Sequence, residues 1–386
     1  MSIRVQGYVR PNGKVGVRNH VLVIPTVVCS AETAMRIADS VEGAVTIYNQ
    51  HGCCQLPYDV ELVERALIGY GKNPNVAAVL VVGLGCESVN IHRVADRIAS
   101  TGKPVETVII QEAGGTLKTI ERGVSIVKEF VQEAAKIKRE EVDISEIIAS
   151  AECGGSDATS GLVANPVVGY AIDKLIDLGG TVIFSETTEV IGAEHLLARR
   201  AASKEVADKL LAVIRRLEDF LKSQGMDIRG SQPTPGNIAG GITTLEEKSL
   251  GAIIKAGTRV LQGVLEYGEE PTGKGLYFMD TPGQDIESIT GMVAGGAVLV
   301  LFTTGRGTPT GCPIAPVIKV TGNPYTYEKM KDNIDFYAAV IEGKETVKEA
   351  GERLFNEMIE VINGKPTKSE ALKHREFGIY KTLPTI

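Results

Sequence analysis

Short apolar runs that alternate with amphipathic helical stretches predict an α/β fold, built as two Rossmann-like, doubly wound units with mainly parallel sheets. Two further observations support that class. The pattern restarts after a charged stretch in the middle of the chain, and glycine is abundant, 43 of 386 residues, concentrated where strand-like runs end. Glycine-rich strand-end loops let backbone turn tightly and come close to a ligand.

The elements follow in order. Val21 to Ile24 reads as a strand, followed by a helix from about Ser30 to Ser40 with Ser30 as N-cap. Ala44 to Tyr48 and Tyr58 to Tyr70 repeat the strand and helix, as do Val76 to Val82 with Val89 to Ser100, and Val105 to Ile110 with Leu117 to Lys138. The charged stretch Lys136 to Asp143 predicts a boundary, giving a first domain over 1–140 and a second over 141–386 that ends in helices. In the second unit, Ile144 to Ala151 and Thr181 to Phe184 are strands; Asn165 to Leu178 and Gly192 to Gln224 are helical. Asp227 to Gly241 has no clear periodicity, whereas Thr243 or Thr244 caps a helix over Leu245 to Ala256. Gly275 to Asp280 and Ala297 to Phe302 are further buried strands, and the tail from Tyr325 is mostly helical.

Composition bounds function. With 43% hydrophobic and 23% charged residues the chain has ample material for two cores. A net charge of −7, without a run of about five like charges, points away from nucleic acid and anionic membranes. No apolar signal core or membrane-length span is visible, which predicts a cytoplasmic protein. Six cysteines are too few for a disulfide framework in so long a chain, so they read as thiols or metal ligands. The Gly83-Leu-Gly-Cys-Glu-Ser stretch lacks the third glycine of a dinucleotide fingerprint, and neither a zinc ribbon nor a Gly-x-Ser-x-Gly elbow is present.

The chemistry collects at strand ends. Cys53, Cys86 and Cys153 each lie just past an apolar run and beside glycine, and the carboxyl edge of a parallel sheet is where ligands bind. Gathered thiolates suggest iron, zinc or an iron–sulfur cluster, although small cysteines also simply pack. His51, two positions before Cys53, is a further candidate ligand or an ordinary loop histidine. Glu186 and Glu189, with Glu194 and His195 after them, supply a carboxylate base, a metal shell or plain helix capping. Arg306, in a Gly-Arg-Gly turn after a wholly apolar strand, suits a carboxylate or sulfonate, because its planar fork makes paired charge-assisted bonds.

The stretches Gly7-Tyr-Val-Arg-Pro-Asn-Gly-Lys-Val-Gly-Val-Arg-Asn19, Gly83-Leu-Gly-Cys-Glu87, Glu152-Cys-Gly-Gly-Ser-Asp-Ala-Thr-Ser-Gly161, Ser185-Glu-Thr-Thr-Glu189 with Gly192-Ala-Glu-His195, and Gly240-Gly-Ile-Thr-Thr-Leu-Glu-Glu-Lys-Ser249 resemble the altronate/galactarate dehydratase family. The resemblance implies a hydro-lyase acting on a sugar acid such as altronate or galactarate, by proton abstraction next to a carboxylate and loss of the β-hydroxyl. As the alternative it brings in a related branch, the large subunit of a sulfolactate sulfo-lyase; a non-catalytic small-molecule-binding subunit is the reading from another class. Iron is the implied cofactor, as Fe2+ or an iron–sulfur cluster, with another divalent metal as the alternative, and Cys53, Cys86 and Cys153 are its expected ligands. His195, then His51, are the expected base or acid beside Glu186, with Arg18 and Arg306 on the substrate carboxylate and Asn19 and Asn165 on its hydroxyls. The small SAF-type domain of full-length members is expected as a separate subunit, within an oligomer.

Overall fold

The computed structural model describes residues 3–386. The chain opens with β1 (Arg4–Val9) and a short β2 (Val15–Gly16), an antiparallel pair. Four strands follow, β3 (His20–Pro25), β4 (Ala44–Thr46), β5 (Val76–Gly83) and β6 (Val105–Ile109), forming a parallel sheet in the order β4-β3-β5-β6. Every residue of β5 is buried, as a near-continuous apolar run in a sheet covered on both faces should be. The second half of the charged stretch forms β7 (Glu140–Asp143), which returns to pair antiparallel with β1. Its side chains are exposed or half-exposed, so charge and strand coexist at an edge.

The second sheet has seven strands, all parallel: β8 (Ile148–Cys153), β9 (Thr181–Phe184), β10 (Leu261–Leu265), β11 (Gly275–Met279), β12 (Leu299–Thr303), β13 (Val317–Thr321) and β14 (Phe336–Tyr337), in the order β10-β11-β9-β8-β12-β13-β14. The fold is thus α/β with two mainly parallel sheets and a small antiparallel one. The expected strand from Ile144 starts late, because Ile144–Glu146 form a 3-10 turn capped by the Asp143 carboxylate. Thr244, not Thr243, caps Leu245–Ala252. Ser30 caps nothing; its hydroxyl donates to the carbonyls of Val27 and Val82 inside a helix that already begins at Val28. The long helical region after Gly192 is two helices, Glu194–Ala198 and Lys204–Ser223, the second capped by Ser203. In the tail only Pro324–Lys329, Val347–Ile362 and Lys368–Ala371 are α-helical.

The two sheets share buried material. Leu62, Leu67 and Tyr70 from helix Pro57–Lys72 pack in one core with Ile289, Val293 and Phe302 of the second unit. Burying each such side chain is worth about 1.5–3 kcal/mol. Gly69 permits the contact, since a Cβ there would stand 2.3 Å from the Ala294 carbonyl oxygen. Polar stitches fix the angle: the Asn73 amide donates to the carbonyls of Val293 and Ala297, and that of Asn75 to Val298 and Ile314. These Asn amides thereby bond backbone carbonyls at the end of helix Asp285–Ala294 and just ahead of β12 and β13. Among the described residues no helix is long and apolar enough to cross a membrane.

Candidate active site in the second sheet

The register of the large sheet sets its carboxyl-edge residues side by side. Thr303 pairs with Cys153, and Ala151 with Phe184, so Glu152–Cys153, Ser185–Glu186 and Thr303–Arg306 leave neighbouring strands at one edge. Lys255, from the 3-10 turn Ile253–Ala256, enters the space between the first two. Its ammonium donates to Glu186 Oε2 at 2.5 Å and to Cys153 Sγ at 3.0 Å, and stands 3.7 Å from Glu189 Oε2. The Cys153 thiol donates to Glu189 Oε2 at 2.7 Å, and Lys248 holds the other Glu189 oxygen at 2.7 Å. Below them Glu152 accepts from Ser288, itself bonded to Ser185.

Glu152, Cys153, Glu186, Glu189, Lys248 and Lys255 are buried and Asp285 is half-buried, and the four carboxyls, Glu152, Glu186, Glu189 and Asp285, outnumber the cations Lys248 and Lys255. Burial, then the charge of Glu189, pushes Glu186 up to about 7. Asp285 is pushed up to about 6, again by burial first and Glu189 second. Burial and the neighbouring Glu186 raise Glu152, and burial with both Glu186 and Glu189 raises the Cys153 thiol. Lys255 stays cationic: burial would lower it, but the thiol and the carboxylates around it more than offset that. Glu186 also adopts a left-handed backbone, φ 76°, rare for a residue with a side chain. Such strain, of order 1–3 kcal/mol, persists where the surroundings over-determine it. Here Thr281 accepts the Glu186 N–H, while the Glu186 carboxylate accepts from Cys153 N and Lys255.

A cavity of about 340 Å³ opens onto this cluster, lined by Cys153, Gly154, Gly155, Glu189, Gln232, Lys248, Asp285 and Arg306 among others. Asp285 begins helix Asp285–Ala294 and makes no hydrogen bond to another side chain among the described residues. Gly154 lets it approach, since a Cβ there would lie 2.2 Å from Asp285 Oδ2. The donor atoms of Cys153, Glu186 and Glu189 lie within 4.8 Å of one another, and the buried Glu186 Oε1 has no hydrogen-bond partner, so this group could hold a metal ion. Lys255 already sits against the same oxygens and sulfur, and an ion there would share or displace its contacts.

The expected site residues divide. Arg306 lines the cavity with Cys153, its Nη1 donating to the Gly236 carbonyl at 3.3 Å. Glu186 is in the cluster; Asn165 is buried but does not line the cavity, and bridges the Gly251 carbonyl and the Thr303 hydroxyl. Arg18 is elsewhere and fully engaged: Glu370 takes its fork at 2.6 and 2.8 Å, and the carbonyls of Val17, Val361 and Lys365 take the rest. An arginine with every donor bonded internally has none for a substrate. Asn19 joins Arg10 to the Ala134 carbonyl. His195 is exposed on its helix and does not line the cavity. His51 is half-buried, bonded to the Ile379 carbonyl and lowered mainly by burial. Cys53 and Cys86 do not join Cys153, because they lie in the loops that follow strands of the other sheet; among the described residues only the Cys153 group meets single-ion spacing. Lys248, Lys255 and Asp285 were missed as site residues. For Lys255 the signal was a lone charge inside Gly251-Ala-Ile-Ile-Lys-Ala-Gly257, an apolar stretch that buries whatever it carries.

Comparison with known proteins identifies the family. Residues 144–385 match the family described as D-galactarate/altronate dehydratase, C-terminal, and residues 7–135 the D-galactarate dehydratase/altronate hydrolase second domain. The (2R)-sulfolactate sulfo-lyase subunit beta of Chromohalobacter salexigens is 43% identical over 374 residues, 96% of this chain and 95% of that protein. Altronate dehydratase of Bacillus subtilis is 36% identical, over 99% of this chain and 78% of its own, and the galactarate dehydratase (L-threo-forming) of Escherichia coli 37%, over 83% and 63%. A solved heptosyltransferase II of E. coli aligns with a TM-score of 0.22 at 10% identity, covering 89% of this chain and 98% of its own, and carries no argument about the fold. The chain belongs to the D-galactarate/altronate dehydratase family of lyases.

Proposed function

We propose that the chain is the catalytic large subunit of a sulfo-lyase that removes the proton next to a carboxylate of (2R)-sulfolactate and expels sulfite from the adjacent carbon. The observation that carries this reading is the 43% identity to sulfo-lyase subunit beta along 95% of that protein. The site supports the same chemistry. Sulfolactate has an anion at each end, and the cavity offers two cations, Arg306 and Lys248. Arg306 binds the carboxylate through its fork, and Asp285, a carboxyl tuned to about 6, takes the proton from the neighbouring carbon. The C–H electron pair becomes the carbon–carbon double bond, and the carbon–sulfur pair leaves with sulfite. The resulting enol then tautomerises to the keto acid. Lys248 faces the negative charge that develops on the carboxylate oxygens, in a setting where little water competes. A divalent ion on Cys153, Glu186 and Glu189 would supply Lewis-acid stabilisation of the same charge.

A second reading, dehydration of altronate or galactarate, rests on relatives 35–37% identical. It needs one more step, because hydroxide is a poor leaving group and must be protonated as it departs; Lys248 is the donor within the cavity. The name of the closer-matching relative, subunit beta, supports a companion subunit, for which the small SAF-type polypeptide is our choice, and free thiols suit a cytoplasmic location. The test is an anaerobic assay of the chain, with and without its companion, against (2R)-sulfolactate, altronate and galactarate. Sulfite release with no dehydration supports the first reading; 2-keto-3-deoxy acid from a sugar acid and no sulfite transfers the assignment to the second.

A further inference from the structure

Four of the six cysteines stand on the other sheet: Cys29, Cys54 and Cys86 exposed, and Cys53 half-exposed. Free cysteine is among the most buried residue types, so this concentration at a surface calls for a reason. All four lie at the carboxyl edge of the four-stranded sheet, in the turns after β3, β4 and β5. Backbone bonds tie those turns together. Val28 N donates to the His51 carbonyl, and Ser88 N and Val89 N donate to the Gly52 carbonyl. Each of Cys29, Cys53 and Cys86 is therefore within two residues of a bond joining its turn to the middle one. Gly52 makes this closeness possible, with φ 106° and a virtual Cβ 2.2 Å from the Thr26 carbonyl oxygen.

The other donors nearby are spoken for. Glu87 accepts from Thr26 and from the amides of Leu84 and Gly85, and His51 Nε2 is bonded to the Ile379 carbonyl. What faces outward is sulfur, with Gln111 donating an N–H to Cys86 Sγ at 3.6 Å. Cys29 sits in the first turn of helix Val28–Asp39, where the helix dipole favours a thiolate. Cys54 Sγ lies 3.6 Å from Cys53 Sγ, and its carbonyl accepts from Ile386 N of the C-terminal tail.

We propose that Cys29, Cys53 and Cys86 ligate a four-iron, four-sulfide cluster on the edge of the first sheet, distinct from the Cys153 cavity. One ion would need its sulfurs about 4 Å apart, given metal–sulfur bonds near 2.3 Å; these three do not meet that spacing. In a cubic cluster each thiolate binds a different iron, so the sulfurs stand on the order of 6 Å apart and ring the cluster from separate turns. An N–H donated to a ligating sulfur, as Gln111 does, is a recognised means of tuning such a cluster. Three thiolates leave the fourth iron open to an outside oxygen ligand. The assignment stands whichever substrate the second sheet serves.

The full chain, purified anaerobically and reconstituted with ferrous iron and sulfide, should hold about four iron and four acid-labile sulfide, with a broad absorption near 400 nm that dithionite bleaches. Cys29→Ser, Cys53→Ser and Cys86→Ser should each lose three-quarters or more of both, whereas Cys54→Ser and Cys153→Ser keep them. In a second measurement that needs no variant, iodoacetamide should modify Cys29, Cys53 and Cys86 of the metal-free protein and spare them after reconstitution. One metal per chain without sulfide, retention in the three variants, loss in Cys153→Ser, loss in Cys54→Ser with retention in Cys53→Ser, or equal alkylation before and after reconstitution would each overturn the proposal.

Discussion

Replacing Asp285 with asparagine separates a catalytic carboxylate from a merely structural one, because the two roles push activity and stability in opposite directions. The Asp285 carboxyl is held at about 6 against an ordinary 3.8, by burial and by Glu189. A carboxyl whose folded value is raised destabilises the fold only when ionised. Below about pH 4 it is protonated in both states and costs nothing; the cost grows as pH rises through the interval and is complete above about 6. At pH 8 it amounts to about 2–3 kcal/mol. Asparagine has nearly the same shape and no charge to desolvate, so Asp285→Asn should stabilise the protein by about that amount at pH 8 and by progressively less toward pH 4. An amide cannot take a proton, so kcat/KM should fall by about 10²–10⁴. In the wild type kcat/KM should rise with pH through about 6, as the base becomes ionised. Urea unfolding at pH 8 and pH 5, with initial rates across the same range, provides both readouts. Activity within a factor of about three of wild type would show that another group takes the proton. An unchanged unfolding midpoint at pH 8 would show that the carboxylate carries no desolvation cost.

Arg306→Lys keeps the charge and removes the bidentate fork, so KM or kcat/KM should worsen about tenfold to a hundredfold, corresponding to about 1.5–3 kcal/mol, with the unfolding midpoint unchanged; wild-type kinetics would remove Arg306 from the site. Lys255→Met takes the one cation away from Glu186 and Cys153 and should destabilise by about 3–5 kcal/mol at pH 8. That loss should shrink as pH falls and Glu186 takes up a proton, and a pH-independent loss would mean that packing rather than charge is responsible. His195→Gln should leave rate and stability unaltered, since the ring is exposed and away from the cavity, and a hundredfold loss in kcat would restore it as the base.

What the sequence made legible follows from how local each signal is. β5 could be read because all eight of its residues are buried and nearly all are apolar, and a cap at Thr243 or Thr244 because a cap bonds only three residues ahead, as Thr244 does. β13 was missed for the converse reason: Val317-Ile-Lys-Val-Thr321 carries a lysine that a buried strand should not have. Lys319 is tolerated because its ammonium reaches the carbonyls of Pro309 and Thr310, while burial brings it down to about 8. Arg18 was misassigned because its partner Glu370 is 352 residues away, and nothing near Arg18 in the chain announces a saturated fork.

The thiols show the same limit at the level of the site. Cys53, Cys86 and Cys153 share one local setting, the end of a buried strand beside glycine, and that setting says which edge a residue occupies without saying of which sheet. Two parallel sheets give two carboxyl edges. Cys153 belongs to the edge where Lys255, Glu186 and Glu189 meet, and there it acts as a hydrogen-bonded thiol among charges. Cys53 and Cys86 belong to the other, which they share with Cys54 and with Cys29, easily passed over because it lies inside a helix rather than in a glycine turn. The division of labour we propose, proton chemistry on the second sheet and soft-ligand chemistry on the first, depends on a pairing order that no single segment of the chain encodes.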